Sequence, residues 1–220
     1  MTPPPQENAL PFAGRKVAIL ANGVFPAPGP ERDTLDAADV VVCCDGAAAA
    51  LLEYGRVPDL AAGDGDSIPE AALLALGGRF AHDPGQCDND LAKAFRAATA
   101  RGARAIAIVG ASGGRSDHFI SNVFLLASFA ATDPDVRMET PDGVFRASTG
   151  RRFFKAARGS CVSVFAPFRD SRVSSRGLEW KLHEADLSMP YAGLSNRVAG
   201  EDGFEISSAR PVIVYTPHAP

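Results

Sequence analysis

A chain of 220 residues that is 46% apolar and 22% charged can bury one substantial core or two small ones, which excludes the disordered class. Its net charge of −4 has the wrong sign for a general polyanion binder, so nucleic acid is not an expected partner, while a local basic pocket for phosphate stays open. No apolar stretch is long enough to span a bilayer, and Met1 to Gln6 reads as a frayed tail without the positive-then-apolar order of a signal peptide.

From Lys16 to about Ala130, short apolar runs alternate with helical patterns, the order of a parallel sheet covered by helices. The expected strands are Val17 to Leu20, Val40 to Cys43, Leu60 to Ala62, Arg79 to Ala81, Ile106 to Val109 and Val136 to Met138, each bounded by Gly, Pro or Asp. Between them, Ala47 to Tyr54, Pro69 to Leu76, Asn89 to Arg101 and Ser116 to Ala130 read as helices. In the last, Phe119, Ile120, Val123, Phe124 and Ala127 recur at three- and four-residue steps, predicting one apolar stripe against the sheet.

Beyond Pro141 the texture changes to runs such as Cys161 to Phe165, Phe204 to Ser207 and Val212 to Tyr215, separated by turn residues. The expectation is an α/β domain over residues 1–147 and a small all-β domain over 148–220, with Gly143 to Arg146 still able to finish the first. A β domain this small calls for a partner surface, which points to a homodimer.

Cys43, Cys44, Cys87 and Cys161 show no paired CxxC spacing, and Cys43 and Cys44 sit in an apolar run as small core residues, which suits a reducing, cytoplasmic location. Cys87 and His82 supply only two ligands for a zinc site, so core and surface roles are preferred.

Ligands of open α/β sheets bind beyond the carboxyl ends of the strands, and four such ends here carry unusual polar groups. The first strand runs into Asn22-Gly23, the second into Asp45-Gly46, the third into Gly63-Asp64-Gly65-Asp66-Ser67, and the Ile106 strand into Gly110-Ala111-Ser112-Gly113-Gly114-Arg115-Ser116-Asp117-His118. In extended backbone, Asp64 and Asp66 point to one side, where a divalent cation such as Mg²⁺ would relieve their repulsion. The plainer alternative is an Asx-turn at Asp64, with Asp66 or Ser67 capping the helix that opens at Pro69; for Ser67 the cap is preferred.

Asp88 or Asn89 reads as a helix cap, which leaves Asp90 free to face the same metal, with Lys93 three residues on to neutralise it or reach a phosphate. Gly110, Gly113 and Gly114 let backbone amides approach an anion, and Arg115 offers a bidentate fork at the head of the next helix. The loop has neither the P-loop ending nor the dinucleotide-fingerprint spacing. Asp117 also suits a helix N-terminus, and His118 is more often a structural hydrogen-bonding residue than a proton carrier.

In order and spacing, these motifs resemble the thiamine pyrophosphokinase family: Asp45-Gly46-Ala47, Gly63-Asp64-Gly65-Asp66-Ser67-Ile68, Asp90-Leu91-x-Lys93-Ala94, Gly113-Gly114-Arg115-x-Asp117-His118, Gly177-Leu178-x-Trp180 and Ser195-Asn196. The resemblance implies a Rossmann-like MgATP-binding domain, a small β-sandwich domain, and an active site shared across a homodimer. It implies transfer of the pyrophosphoryl group of ATP to the thiamine hydroxyl, releasing AMP. Asp64, Asp66, Asp90 and Asp117 become the catalytic acids, with Asp64, Asp66 and Asp90 on the metal. Asn22, Gly23, Asp45, Gly46, Lys93, Gly110, Gly113, Gly114, Arg115 and His118 become the nucleotide contacts. Ser195, Asn196 and Gln86 border the thiamine pocket, and Trp180 is either an aromatic surface there or a core residue of the small domain. The sequence departs from the family pattern at Gly65, at Asn89 and in the short loop before Ser195. Two rivals share many of these features: a pyrophosphokinase acting on a hydroxymethyl-dihydropterin, and a non-catalytic thiamine or nucleotide binder.

Overall fold

The computed structural model describes residues 10–130 and 135–218, so the tail at Met1 to Gln6 lies outside the described residues. The chain is a mixed α/β protein built on one large sheet of eleven strands. In chain order its first half runs β1 (Lys16–Leu20), α1 (Pro30–Asp36), β2 (Val40–Cys44), α2 (Ala47–Glu53), β3 (Leu60–Gly63), α3 (Glu70–Leu76), β4 (Phe80–His82), α4 (Asp90–Ala100), β5 (Ala105–Val109) and α5 (Ser116–Phe129). The second half runs β6 (Asp135–Thr140), β7 (Gly143–Lys155), β8 (Cys161–Phe165), β9 (Ser174–Arg176), β10 (Asn196–Arg197) and β11 (Gly203–Pro217).

The sheet order is β10-β8-β11-β7-β6-β5-β1-β2-β3-β4, with β9 paired to β11. From β6 to β4 all neighbours are parallel, and from β6 through β7 to β11 and β8 they are antiparallel. Strands β1, β2 and β3 are buried along nearly their whole length, as a sheet covered on both faces requires. The order reverses between β1 and β5, and a crevice opens at the carboxyl ends where their connections diverge.

Two apolar clusters follow the two textures of the sequence. The larger joins Ile19, Val41, Ile106 and Ile108 of the sheet to Leu35, Phe95 and Leu126 of the helices. The smaller gathers Phe154, Val164, Leu178, Phe204 and Val214 in the antiparallel half. The 147/148 boundary falls inside β7, whose thirteen residues carry the chain from one texture to the other. Gly143 to Arg146 is the first part of that strand. Phe204 to Ser207 and Val212 to Tyr215 belong to the single strand β11, whose register shifts between Ser208 and Val212, so the residues between them make an irregularity and not a turn.

Three local expectations are corrected. Arg79 lies in a 3₁₀ turn over Gly77–Arg79 that follows α3, so β4 begins only at Phe80. The residue before α3 is Pro69, with no side-chain cap, so Ser67 does not cap that helix. On α5, Phe119 and Val123 pack on the core with Ala127, but Ile120 is 55% and Phe124 46% exposed. The helix is apolar around more of its circumference than the sheet can cover, and part of the predicted stripe faces outward.

Candidate active site

The strand ends converge on a cleft of about 400 Å³ lined in part by Asn22, Gly23, Asp64, Asp90, Lys93 and Arg115. Two of its lining residues, Asp64 and Asp90, belong to an acid cluster. One carboxylate oxygen from each of Asp45, Asp64 and Asp90 lies within 4.8 Å of the others. Three backbone features put them there: Asp45 follows β2, Asp64 follows β3, and Asp90 opens α4.

Asp45 is fully buried, its Oδ1 accepting the Gly46 amide at 2.6 Å and its Oδ2 the Gly65 amide at 3.0 Å. Gly63 keeps room for it, since a Cβ there would come within 2.7 Å of the Asp45 side chain. Asp64 Oδ1 accepts the Asp66 amide at 3.2 Å, the turn expected of an Asx residue, and Oδ2 takes Gln86 Nε2 at 3.3 Å. The adjacent main chain is pinned by His82, whose Nε2 donates to the Asp64 carbonyl at 3.0 Å.

Lys93 is the cluster's internal cation. Its side chain is 2% exposed, 3.3 Å from Asp64 Oδ2 and 3.4 Å from Asp90 Oδ1. The helix that carries it is started by Asn89, whose side chain accepts the Ala92 amide at 3.0 Å, and its apolar face packs on β1, β2 and β3. Burial works to lower the Lys93 pKa, but its hydrogen bond to Asp64 and the charge of Asp90 prevail and hold it above the usual lysine value. The two acids are driven apart: burial, followed by the charge of Asp45, pushes Asp90 up, while the Asp66 amide and Lys93 hold Asp64 down.

The opposite wall is made by two loops zipped together. Ala21 donates to the Val109 carbonyl at 2.8 Å, Gly23 to Gly110 at 2.8 Å and Val24 to Ser112 at 2.9 Å. Gly23 is required for this approach, because a Cβ there would sit 2.5 Å from the Gly110 oxygen. Gly110 and Gly113 both take positive φ, and among the described residues the amides of Ala111, Ser112, Gly113 and Gly114 have no intramolecular acceptor. Arg115 stands at the mouth, 74% exposed, paired with Asp117 through Nη2 to Oδ2 at 2.6 Å. That guanidinium holds the Asp117 carboxyl down to about 2.

Asp66 is exposed and Asp117 pairs with Arg115, so the structure brings neither into the acid cluster; it brings Asp45 instead. Asn22, Gly23, Gly114 and His118 line the cleft, and Gly46 packs on Asn22. Trp180, Ser195 and Asn196 lie in the antiparallel half and do not line it. Trp180 is 55% exposed, a surface residue and not a core one. Asn196 is buried and spent on Trp180's backbone, accepting its amide at 3.1 Å and donating to its carbonyl at 2.6 Å. Ser195 takes φ 57°, and its amide donates to Ser163 Oγ at 3.2 Å. Sequence reasoning missed Glu31, whose carboxylate receives the Gly110 amide, and Asn122, which receives Asn89 Nδ2 at 3.0 Å and ties α4 to α5. Neither stands in a motif; only the fold reveals their reach.

Residues 32–138 match the family model for the thiamin pyrophosphokinase catalytic domain, and residues 155–213 match the model for the thiamin pyrophosphokinase vitamin B1 binding domain. The chain belongs to the thiamin pyrophosphokinase family. Both parts of such an enzyme are present in order, and its activity is thiamine pyrophosphokinase activity, with ATP as co-substrate. The fold is shared with thiamin pyrophosphokinases of known structure. The Bacillus subtilis enzyme is 21% identical with a TM-score of 0.72, over 93% of this chain and 100% of that one. The Candida albicans enzyme is 16% identical with a TM-score of 0.72, over 93% of this chain and 90% of that one. The yeast enzyme is 14% identical with a TM-score of 0.72, over 95% of this chain and 88% of that one. No curated protein sequence matches. The thiamin pyrophosphokinase assignment disfavours the pterin and non-catalytic readings.

Proposed function

We propose that the cleft between β1 and β5 binds ATP as its Mg²⁺ complex and that the antiparallel half of a second copy presents thiamine to it. The observation that carries this reading is a cluster of three carboxylates and a buried lysine, of which Asp64, Asp90 and Lys93 line one cleft together with Ala111 and Gly114 of the glycine-rich loop. Three carboxylate oxygens close enough to share one ion, with room on the cleft side for phosphate oxygens, fit Mg²⁺. Asp45, Asp64 and Asp90 would hold it, and bound there it would draw charge from the triphosphate.

The chain's own groups divide the remaining work. Charge builds on the phosphate oxygens during transfer, so the catalytic need is fixed positive potential and alignment rather than a strong base. The Ala111 to Gly114 amides and the head of α5 face the triphosphate, and Arg115 leaves Asp117 to grip it from the mouth. Lys93 keeps the carboxylates from repelling one another before the nucleotide arrives and sits within reach of a phosphate afterwards. Asp90, which opens α4 and lines the cleft, is the group suited to orient the thiamine hydroxyl and accept its proton late. Asp66 and Asp117 are exposed next in sequence to Ser67 and His118 of the cleft lining, and there they would meet the departing nucleotide or its counterions.

The same reading treats residues 1–147 as a Rossmann-like nucleotide domain and 148–220 as a β-sandwich that binds thiamine and pairs subunits. The separate apolar cluster of the antiparallel half supports the division. The exposed Ile120, Phe124 and Phe168 support a covered face, and Trp180 held outward by Asn196 supports an aromatic platform for the acceptor. Four unpaired thiols suit a cytoplasmic location. The test is a product assay: AMP and thiamine diphosphate should form from ATP and thiamine only when Mg²⁺ is present, and Asp90→Asn should abolish turnover. Formation of AMP at the same rate without thiamine would reject the reading.

A further inference from the structure

Glu31 is a buried carboxylate to which the mechanism above gives no task. It lies in the first turn of α1, 5% exposed, and its Oε1 accepts the Gly110 amide at 2.7 Å across 79 residues of sequence. Burial pushes its pKa up, the Gly110 amide pulls it back, and the nearby charges of Glu139 and His218 oppose each other. Those neighbours are themselves engaged, Glu139 with Arg137 Nε at 2.7 Å and His218 with the Thr140 carbonyl at 3.0 Å. A bare structural carboxylate is costly to bury, so its placement at this amide calls for a reason.

The reason lies in how the chain leaves β5. From Ala21 to Val24 the β1 side contributes amide donors, which satisfy the carbonyls of Val109, Gly110 and Ser112. Among the described residues it contributes no acceptor for the loop's own amides. At Gly110 the chain turns with φ 66°, so the amide at this turn needs an acceptor brought from elsewhere, and α1 delivers one. Among the described residues, the next four amides have no internal partner. We propose that Glu31 is a positioning residue: by taking the Gly110 amide it fixes the turn that presents the Ala111 to Gly114 amides to the triphosphate. This rests on the reading of the cleft as the ATP site.

The experiment compares Glu31→Gln, which keeps an acceptor oxygen at the same reach, with Glu31→Leu, which keeps the bulk without it. Arg115→Ala serves as an independent probe of the loop. MgATP affinity without thiamine, thiamine affinity without ATP, and melting temperature are measured for each. Glu31→Leu should weaken MgATP binding about tenfold with thiamine affinity unchanged, and Glu31→Gln should stay within about twofold of the parent. If Glu31→Leu does not fold, Glu31→Asp, shorter by one methylene, should still lose MgATP affinity when assayed well below its own melting temperature, with thiamine affinity unchanged. Equal MgATP affinity in the parent and both the Leu and Gln variants, with Arg115→Ala impaired, overturns the role of Glu31 and leaves the loop assignment standing. No effect of Arg115→Ala on MgATP affinity overturns the ATP-site reading itself.

Discussion

Replacing Lys93 with methionine keeps most of the buried stem and removes the ammonium, which isolates its charge. In the parent, that ammonium lies 3.3 Å and 3.4 Å from two carboxylates of a cluster whose oxygens fall within 4.8 Å of one another. At an effective dielectric near 20, each carboxylate pair at that distance repels by about 3 kcal/mol. Solvent softens this, because the Asp64 and Asp90 side chains keep 20% and 29% exposure. Breaking a buried pair costs about 3–5 kcal/mol, and the lower end applies here. For a chain of this length that is a fall of about 6–12 °C in Tm.

Two further signs separate this account from ordinary core damage. A divalent cation must compete with Lys93 in the parent but not in the variant, so Mg²⁺ should raise the variant's Tm further. A tenfold gain in metal affinity adds about 1.4 kcal/mol, or about 3–6 °C. The pH dependence follows from Asp90, whose pKa is already raised by burial and Asp45 and rises again without Lys93. A carboxyl raised in the folded state favours folding at low pH, and that contribution is lost as pH climbs through the folded value. The deficit of the variant should therefore be small near the usual carboxylate pKa and full at neutral pH. Thermal melts with EDTA or Mg²⁺ across that range measure both signs. An identical Mg²⁺ response in parent and variant, with a deficit that ignores pH, would refute the shared-cation cluster.

Asp66→Asn and Asp117→Asn alter exposed side chains, so stability should move by less than about 0.5 kcal/mol while turnover falls about tenfold or more; matched losses in melts and rates would make them structural. Asp45→Ala should instead cost about 3 kcal/mol in urea denaturation, since it strips the acceptors from the Gly46 and Gly65 amides. Asn196→Ala should free the Trp180 main chain and raise KM for thiamine with KM for ATP unchanged, and the emission of this sole tryptophan reports the release. Phe124→Glu should convert a dimer to a monomer in sedimentation and remove activity with it; a fully active monomer would refute the shared site.

The strand ends were readable because their chemistry is local. Asn22-Gly23, Asp45-Gly46 and the Gly110 loop each follow an apolar run, and parallel strands place all such ends on one edge. Spacing alone could not say which carboxylates share that edge. Asp64 and Asp66 are two apart, but Asp64 folds back onto the Asp66 amide, so extended-chain alternation does not apply and Asp66 turns to solvent. Asp45 takes its place because the next strand passes it with Gly63, and only a residue without Cβ admits the carboxylate there. The glycine that opens this space lies eighteen residues from the acid it accommodates.

The same contrast explains the outward part of α5 and the silence of Glu31. Helical periodicity reports which residues are apolar together, not how wide a face the sheet covers, so it places Ile120 and Phe124 inward with Ala127 although both are exposed. No helix is expected over Pro30–Asp36, and even in a recognised first helical turn an acid is read as dipole complement. Glu31 differs only because α1 lies against the β5 exit, a contact set by the crossover between distant strands. The parts of this site that depend on strand order are therefore legible to inspection of sequence, whereas those that depend on one element's approach to another must be seen in the fold. By that argument Trp180 and Asn196, which do not line the cleft of their own chain, belong to the part that spacing along the sequence cannot place.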